Sequence, residues 1–453
     1  MKKVILSIAM LCATSMLFAQ SDCADCEINQ KSPASVGAVD NTVNINQFGY
    51  IFNIATAVQT GAYNLSNIDQ NGSFLTATTI QTGNSNEADV DQLGSNANGI
   101  IMQYGTSNFA QQSVGQSWGW SYMNTATANQ TGSSNLSYQT QEGNFNNASV
   151  MQNGVGNYAE QNQMSYSNSW RPNNATIVQY SRNNESLQNQ YGGSNTAFSI
   201  QGSGSGNTVV STQMNVYNNQ QYYGNNDSYT EQYGDDNLAC ITQSSAKGGS
   251  YSDIWQHGDD NSANVDQTDL FFGTNISLIH QDGTNNDACV TQVVRNDARN
   301  DSDIYQNGNG NSAHVMQYSA NDWWTVGQNV SDIDQYGSEN NAIVTQNQTW
   351  GANDSTIFQD GTNNTAIATQ TDTFWSFNTS TIMQYGGYNT AVATQTGVTG
   401  NNDSTIFQNG YFNTATVTQN TPTYSYLNNV SNVNQLGNSN VASVTQTAVP
   451  MSF

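Results

Sequence analysis

A seven-residue pattern, Asn-x-small-x-aliphatic-x-Gln, recurs through nearly the whole chain and restricts its fold more than any other feature. It forms 32 units, whose closing glutamines run from Gln47 to Gln446. Asn stands six residues before the closing Gln in 29 of them, and the exceptions end at Gln81, Gln103 and Gln256. A fixed phase over about four hundred residues indicates units that stack on one another rather than a globule.

Within each unit the repeated residues occupy every second position, which is the period of a β-strand with one buried face. None of the four repeated positions in any of the 32 units holds Asp, Glu, Lys, Arg or His. Every charged side chain of the repeat region therefore lies at an intervening or turn position. This pattern predicts strands whose repeated residues point inward.

The spacing of the units predicts how the strands connect. After Gln232, units with an inward Ser alternate with units with an inward Ala. The step from a Ser unit to the next Ala unit is always 11 residues, whereas the following step varies from 13 to 18. We therefore expect an all-β, parallel β-solenoid of about 16 two-stranded coils with cross-β stacking, over residues 41–446. Each coil would have a tight Gln-x-Gly-x-x-Asn turn and a variable arc.

Inward Asn and Gln need hydrogen-bond partners because an unpaired buried amide is costly. Identical amides one coil apart can bond to each other as ladders. Two copies of the repeat show the residues expected to form the core, the ladders and the tight turns. They are Asn300, Ser302, Ile304, Gln306, Gly308, Asn311, Ala313, Val315 and Gln317, and Asn353, Ser355, Ile357, Gln359, Gly361, Asn364, Ala366 and Gln370.

Composition narrows the function classes. Only 36% of the residues are hydrophobic and 9% charged, so a conventional apolar core is excluded and, without the repeat, the chain would read as disordered. The chain has 33 acidic and eight basic residues. Nucleic acid is therefore excluded as an expected partner, because binding to phosphates needs positive charge.

The termini indicate export. Residues 1–19 combine Lys2 and Lys3 with an apolar run ending at Ala19, which predicts a secretory signal peptide. We expect residues 20–40 to be a leader, either a targeting segment or a disordered one, and residues 447–453 to be a C-terminal tail. No other segment is apolar enough to span a bilayer.

The cysteines fall into two groups. Cys23 and Cys26 form a single CxxC, for which a local or interchain disulfide is favoured over a redox or metal site. Cys240 and Cys289 occupy the same repeat position two coils apart, which predicts a separation of roughly 9.5 Å and free thiols.

Outward positions carry three recurrent residue types. Acids at Asp89, Asp91, Asp235, Asp236, Asp259, Asp260, Asp332 and Asp334 are either gatekeepers against premature stacking or ordinary solubilising charges. Tyrosines directly follow a closing Gln at Tyr104, Tyr191, Tyr233, Tyr336 and Tyr385, and could stack along a shared edge. Threonines recur at 365, 369, 390, 394, 414, 416 and 418.

No catalytic, cofactor or metal site is predicted. The histidines are His257, expected in a turn, and His280 and His314, expected on outward strand positions of different coils. A catalytic site needs such groups clustered. The repeat is irregular between residues 109 and 122, a stretch with Trp118 and Trp120 that could be a loop, a hinge or a divergent coil.

The order Ser302, Gln306, Gly308, Asn311, Gln317 resembles the curlin repeats of bacterial curli fibre subunits, and the resemblance extends from about residue 41 to 446. It implies a secreted structural protein, not an enzyme, that assembles end to end into extracellular amyloid fibres for adhesion and biofilm matrix. It also implies a nucleator subunit and an outer-membrane secretion pore as partners. The alternative is a monomeric β-solenoid that binds ice or a glycan surface through its outward Thr and Tyr residues.

Overall fold

The computed structural model describes residues 26–31, 40–115, 121–165, 171–215, 224–320, 327–422 and 427–448. These residues contain strands and no helix, and the chain divides into two compact units, Met1–Thr208 (unit 1) and Val209–Phe453 (unit 2).

The strands of unit 1 are β1 Cys26–Lys31, β2 Thr42–Ile51, β3 Ile54–Ala62, β4 Leu65–Ser73, β5 Thr76–Asn84, β6 Glu87–Ser95, β7 Asn98–Thr106, β8 Phe109–Val114, β9 Thr125–Ser133, β10 Leu136–Glu142, β11 Asn147–Val155, β12 Tyr158–Met164, β13 Asn174–Arg182, β14 Glu185–Tyr191 and β15 Asn195–Gln201.

Those of unit 2 are β16 Thr208–Asn215, whose first residue still belongs to unit 1, β17 Asn225–Tyr233, β18 Leu238–Ser245, β19 Gly249–Asp259, β20 Ser262–Asp269, β21 Thr274–Thr284, β22 Asp287–Arg295, β23 Arg299–Asn309, β24 Ser312–Ala320, β25 Gln328–Ser338, β26 Asn341–Gln348, β27 Ala352–Thr362, β28 Thr365–Asp372, β29 Phe377–Gly387, β30 Thr390–Gly397, β31 Asn402–Tyr411, β32 Thr414–Thr421, β33 Asn429–Leu436 and β34 Val441–Thr447.

Within each unit, even-numbered strands pair in parallel with the neighbouring even-numbered strands, and odd-numbered strands with odd-numbered ones. Repeat positions stand directly above one another, as Gln306 on Gln281 and Gln335. One even and one odd strand make a coil, which gives seven coils in unit 1 and nine complete coils plus β34 in unit 2. The prediction of an all-β parallel β-solenoid is confirmed.

The core lies between the two sheets of each unit and is thin. Its apolar part consists of Ala and of Ile or Val, such as Ile304 and Val315, which are fully buried. Burying such an aliphatic side chain contributes about 1.5–3 kcal/mol. In each strand of unit 2 up to β33 the outward residues alternate with these buried ones. In β34 the inward side chains are themselves partly exposed because no strand follows it in the described residues.

Most tight turns hold glycine for a steric reason, although Ser181 takes this position after β13 at φ +75°. Gly308 has φ +136° and Gly361 has φ +138°, values that side chains other than glycine rarely adopt. A Cβ on either residue would also clash with the carbonyl oxygen of the turn glycine in the next coil, Gly337 or Gly386. The spacing of 11 residues is therefore maintained by close stacking of backbone on backbone.

Two regions depart from the sequence analysis. Residues 109–114, where the repeat is irregular, form the regular strand β8, with buried Val114 in register with Gln92 and Gln141. The search for a closing Gln missed it because an apolar residue fills that inward position. Residues 116–120, which include Trp118 and Trp120, lie outside the described residues.

The other departure concerns the N-terminal edge. β1 pairs antiparallel with β2, with Cys26 opposite Gln47 and Lys31 opposite Thr42. Because edge strands expose unpaired N–H and C=O groups, β1 covers one edge of the first coil. Part of the expected leader, residues 26–31, thus pairs with the first coil, and among the described strands of that coil only β3 has an open N-terminal edge.

Candidate self-assembly surfaces

The closing glutamines form directional ladders inside each unit. Gln306 Nε2 donates to Gln335 Oε1 at 2.8 Å, and Gln317 Nε2 donates to Gln346 Oε1 at 2.8 Å. Gln359 and Gln370 do the same toward the following coil, at 2.8 and 2.9 Å. The second N–H of each amide bonds to a backbone carbonyl, as Gln306 does to Asp287 O. Each of these Gln side chains thus donates a hydrogen bond to the Gln of the following coil, toward the C-terminal end.

The asparagines form ladders with the opposite direction. Asn300 Nδ2 donates to Asn275 Oδ1 in the preceding coil at 3.1 Å, and Asn311 Nδ2 to Asn286 Oδ1 at 3.1 Å. Asn353 and Asn364 donate backward in the same way, at 2.9 and 3.1 Å. At the tight turn, the Asn also donates to the turn glycine of the next coil, as Asn364 does to Gly386 O. This explains why these positions hold amides rather than other polar groups.

The opposed ladders leave complementary groups at the two ends. In the first coil, Gln47 Oε1 and Gln59 Oε1 accept no hydrogen bond from the described residues. In the last, Gln435 and Gln446 donate only to backbone oxygens, of Thr414 and Val430, because no described coil follows them. Each of these two glutamines thus retains one amide N–H that has no glutamine acceptor among the described residues.

The other predicted core residues lie as expected from the repeat. Ser302 and Ser355 are buried in odd strands, beside Ile304 and Ile357. Ala313, Val315 and Ala366 are buried in even strands. The Ser hydroxyls have no hydrogen-bond partner among the described residues, and we find no physical account of why Ser rather than Ala is repeated there.

Comparison with known families finds the curlin associated repeat at residues 64–94. The match covers β4, β5 and β6, and the same strand register recurs through both units. This stretch of the chain therefore carries a curlin repeat. No curated protein matches it.

The cysteines of this curlin-repeat protein are only partly described. Cys240 and Cys289 are free, half-buried thiols two strands apart, separated by Asn264, as predicted. Cys23 lies outside the described residues, and of Cys26 only the backbone is described, so the proposed disulfide stays a prediction. Among the described residues no helix could cross a membrane, and no three His, Cys, Asp or Glu side chains converge as a metal site.

The outer surface of the odd-numbered strands in unit 2 is acidic. On three successive strands, Asp303, Asp332 and Asp354 lie close together, and Asp303 stands in register with Asp332. Partial loss of hydration, together with the charges of Asp334, Asp303 and Asp354, raises the pKa of Asp332 to about 6. These carboxylates repel one another at neutral pH. Asp332 is one of the acids predicted to be either a gatekeeper or a solubilising charge, and the choice between these roles stays a prediction.

The same surface carries a continuous ribbon of aromatic rings across seven coils. Successive ring centroids lie 3.9, 4.8, 5.5, 5.6, 5.3 and 5.7 Å apart. The rings belong to Trp255, His280, Tyr305, Tyr336, Phe358, Tyr385 and Phe407. Tyr336 and Tyr385 are therefore linked, as expected, but through Phe358.

The other predicted aromatic and histidine positions are scattered. Tyr104 lies on an odd strand and Tyr191 on an even strand of unit 1, so the expectation of one shared edge fails for them. His257 lies in β19 rather than in a turn, and its Nδ1 is 2.8 Å from Asp282 Oδ1.

Two buried aspartates begin variable arcs of unit 2, and the repeat gave no signal for them. Asp269 accepts hydrogen bonds from the N–H groups of Phe271 and Gly273, and Asp372 accepts from Ser376. Burial raises the pKa of each carboxyl to about 6 despite these hydrogen bonds. Oδ2 of each carboxyl has no hydrogen-bond partner within the part of the chain that the structure describes.

A second internal glutamine ladder, in unit 1, was also missed. Gln112, Gln139, Gln161 and Gln188 bond in series at 2.8, 2.9 and 3.0 Å. They stand where other units hold Ile or Val. The signal was present in the sequence as the tripeptide Gln-x-Gln at 139–141, 161–163 and 188–190.

Proposed function

We propose that this protein is a secreted structural subunit that stacks head to tail into curli-like extracellular amyloid fibres for adhesion and biofilm matrix. The observation that carries the proposal is the complementarity of the coil ends. Gln435 and Gln446 offer donors where Gln47 and Gln59 offer acceptors. Stacking two identical ends would instead bring donors to donors or acceptors to acceptors.

The flanking segments suit this role. We propose that residues 1–19 direct secretion, that residues 20–40 serve as the leader recognised by an outer-membrane secretion pore, and that a nucleator subunit starts growth on the cell surface. Since β1 occupies the N-terminal edge of β2, stacking on that edge requires β1 to be displaced. Removing residues 20–40 should therefore shorten the lag before fibre growth.

The first experiment follows the mature chain, residues 20–453, diluted from denaturant. Thioflavin fluorescence, electron microscopy and fibre diffraction should show a lag, seeded growth and reflections near ~4.8 and ~10 Å. A folded β-protein that stays monomeric at high concentration would refute the proposal.

A matched pair of variants tests the end complementarity itself. In Gln435→Glu/Gln446→Glu, the new carboxylates still accept from Gln408 and Gln419 Nε2 but have no donor for the next copy. We expect seeded elongation to slow at least tenfold, because carboxylates would face amide oxygens. The control, Asn432→Asp/Asn434→Asp, adds the same charge to exposed outward positions of β33 and should elongate normally.

A further inference from the structure

Between the inward Asn and the closing Gln, the odd-numbered strands β3 to β15 of unit 1 present no charged side chain, and we call this surface the neutral face; exposed Arg182 lies beyond it, at the end of β13. It comprises the outward side chains between the inward Asn, or its replacement, and the closing Gln of β3 to β15. They are Ile54, Thr56, Val58, Thr76, Thr78, Ile80, Asn98, Ile100, Met102, Thr125, Thr127, Asn129, Asn147, Ser149, Met151, Asn174, Thr176, Val178, Thr196, Phe198 and Ile200.

The even-numbered strands of the same unit present the contrasting surface, the acidic face. Six outward acids lie between the inward Asn and the closing Gln, namely Asp69, Glu87, Asp89, Asp91, Glu160 and Glu185, and a seventh, Glu142, follows the closing Gln141. Loss of hydration and the charges of Asp91, Asp69 and Glu87 raise the pKa of Asp89. The chain has 33 acidic residues, yet the seven odd-numbered strands from β3 to β15 carry none on their outward side chains. The acids of unit 1 are therefore distributed unevenly between its two faces.

The neutral face is also regular. The strands pair residue for residue, so that Thr127 lies beside Ile100 and Ser149, and Ser149 beside Thr176. Next to this column runs a largely apolar one, Val58, Ile80, Met102, Asn129, Met151, Val178 and Ile200. Short and β-branched side chains in register make a flat surface of the kind that packs dry against another sheet.

Its size suits repeated contacts. Seven strands about 4.8 Å apart, each presenting about 20 Å of length, give on the order of 700 Å² per copy. A stable interface between two proteins buries about 800 Å² on each partner. Contacts of this size are weak singly but become strong when stacked copies repeat them along a fibre.

We propose that the neutral face is a lateral self-association surface, on which the same face of a second copy packs. The inference deepens the proposed function and rests on it, since stacking supplies the repetition. The occupant is a second copy because the chain is strongly acidic. Two such chains approach with least repulsion where neither presents a carboxylate, whereas a basic partner would be drawn to the acidic face.

Three mature chains test the proposal. The first is wild type. The second, Thr127→Asp/Thr176→Asp, charges the centre of the neutral face on both sides of Ser149. The control, Thr140→Asp/Asn189→Asp, adds the same charge on the acidic face, on β10 and β14, the strands that directly follow β9 and β13. The carboxylate that replaces the Asn189 amide can still accept from Asn162 Nδ2. Circular dichroism verifies folding, which should persist because Asp89 occupies the equivalent strand position.

Electron microscopy and seeded growth give separate readouts. We expect wild type and control to form paired filaments. The neutral-face variant should elongate at the wild-type rate as single filaments, with at least a tenfold lower paired fraction. A Thr127→Lys/Thr176→Lys chain mixed with it should restore pairing. Unchanged pairing in the variant, or equal loss in the control, would overturn the proposal.

The remaining outcomes separate this proposal from the proposed function. If wild type does not elongate from seeds, the proposed function fails. Sedimentation at high protein concentration then tests whether the neutral face mediates self-association. If only the neutral-face substitutions weaken self-association, the result supports the proposed lateral surface. If all three chains sediment equally, that proposal is overturned. A different result would identify ice as the occupant of the neutral face and overturn the proposal. In that case filament pairing would be unchanged, and only the neutral-face variant would lose inhibition of ice recrystallisation.

Discussion

The neutral and acidic faces of unit 1 are built on nearly the same interior. Strands on both sides bury ladder glutamines, such as Gln81 and Gln92, and small or aliphatic residues. Their outward residues nevertheless differ, with no charge on one face and seven acids on the other. Unit 2 shows the reverse assignment, with the acids concentrated on the odd strands. Inward positions are therefore restricted by folding, whereas outward positions are free to specify association.

In unit 2, the five even strands β26 to β34 have no outward charge between the inward Asn and the closing Gln. The predicted threonine array lies there in register, Thr365 beside Thr390 and Thr390 beside Thr414. Each unit thus combines a charge-free surface with an acidic one.

The largest expected effect on stability comes from introducing an Asp at a buried position of β7 rather than at the neighbouring outward position. Ile101 is fully buried in β7, whereas its neighbour Ile100 points outward. Ile101→Asp should destabilise unit 1 by at least about 4 kcal/mol, because an unpaired charge replaces a buried aliphatic group. Ile100→Asp should leave folding nearly unchanged. Urea unfolding followed by circular dichroism measures both, and equal destabilisation would contradict the inward and outward assignment.

The next effect is the pH dependence of unit 2. The pKa values of buried Asp269 and Asp372 are raised from 3.8 to about 6, so the folded state binds more protons than the unfolded state between these values. Stability should therefore increase as pH falls from 7 toward 4, by about 2–3 kcal/mol for each group. Unfolding midpoints from pH 4 to 7.5 measure this. Asp269→Asn/Asp372→Asn should flatten the dependence, and an unchanged slope would contradict the prediction.

A smaller effect is expected from the aromatic ribbon on the acidic surface of unit 2. Phe358 contacts Tyr336 and Tyr385, at centroid distances of 5.6 and 5.3 Å. Phe358→Leu keeps an apolar residue but removes both ring contacts, which should cost about 1 kcal/mol. Thr356→Ala, on the same strand and the same face, is the control. A thermal melt that shifts no more for Phe358→Leu than for the control would show that the ribbon contributes nothing to stability.

The smallest effect on stability concerns the acidic face of unit 1. Asp89→Asn/Asp91→Asn removes carboxylates whose pKa values are raised by loss of hydration and by neighbouring acids. Stability at pH 7 should rise by about 1 kcal/mol or less, and less at high salt. The lag before fibre growth should shorten if these acids act as gatekeepers. The control is Asn44→Gln on the same face, and an unchanged lag would favour simple solubilisation.

The sequence predicted the strands and their faces because the repeat is strict where the interior is thin. Each inward residue packs against the residue at the same repeat position in the preceding and following coils. An unsuitable residue would therefore disturb the packing of three coils. The prediction failed where one inward residue was replaced by another that also fits. Val114 in β8 closes a strand without Gln, and the Gln112 to Gln188 ladder replaces aliphatic residues.

The solenoid, the residues that face inward and the glycines of most tight turns could be predicted from the repeat, because these features depend on local period and on identical neighbours. Only the tertiary structure decided which outward residues stand together. Five rings of the ribbon precede the closing Gln of their strand, whereas Tyr336 and Tyr385 follow it. Buried Asp269 lies against Gly248 of the preceding arc and Gly273 of its own arc. The opposite directions of the Asn and Gln ladders were also decided there, since hydrogen-bond direction depends on the side-chain geometry of stacked coils rather than on residue type.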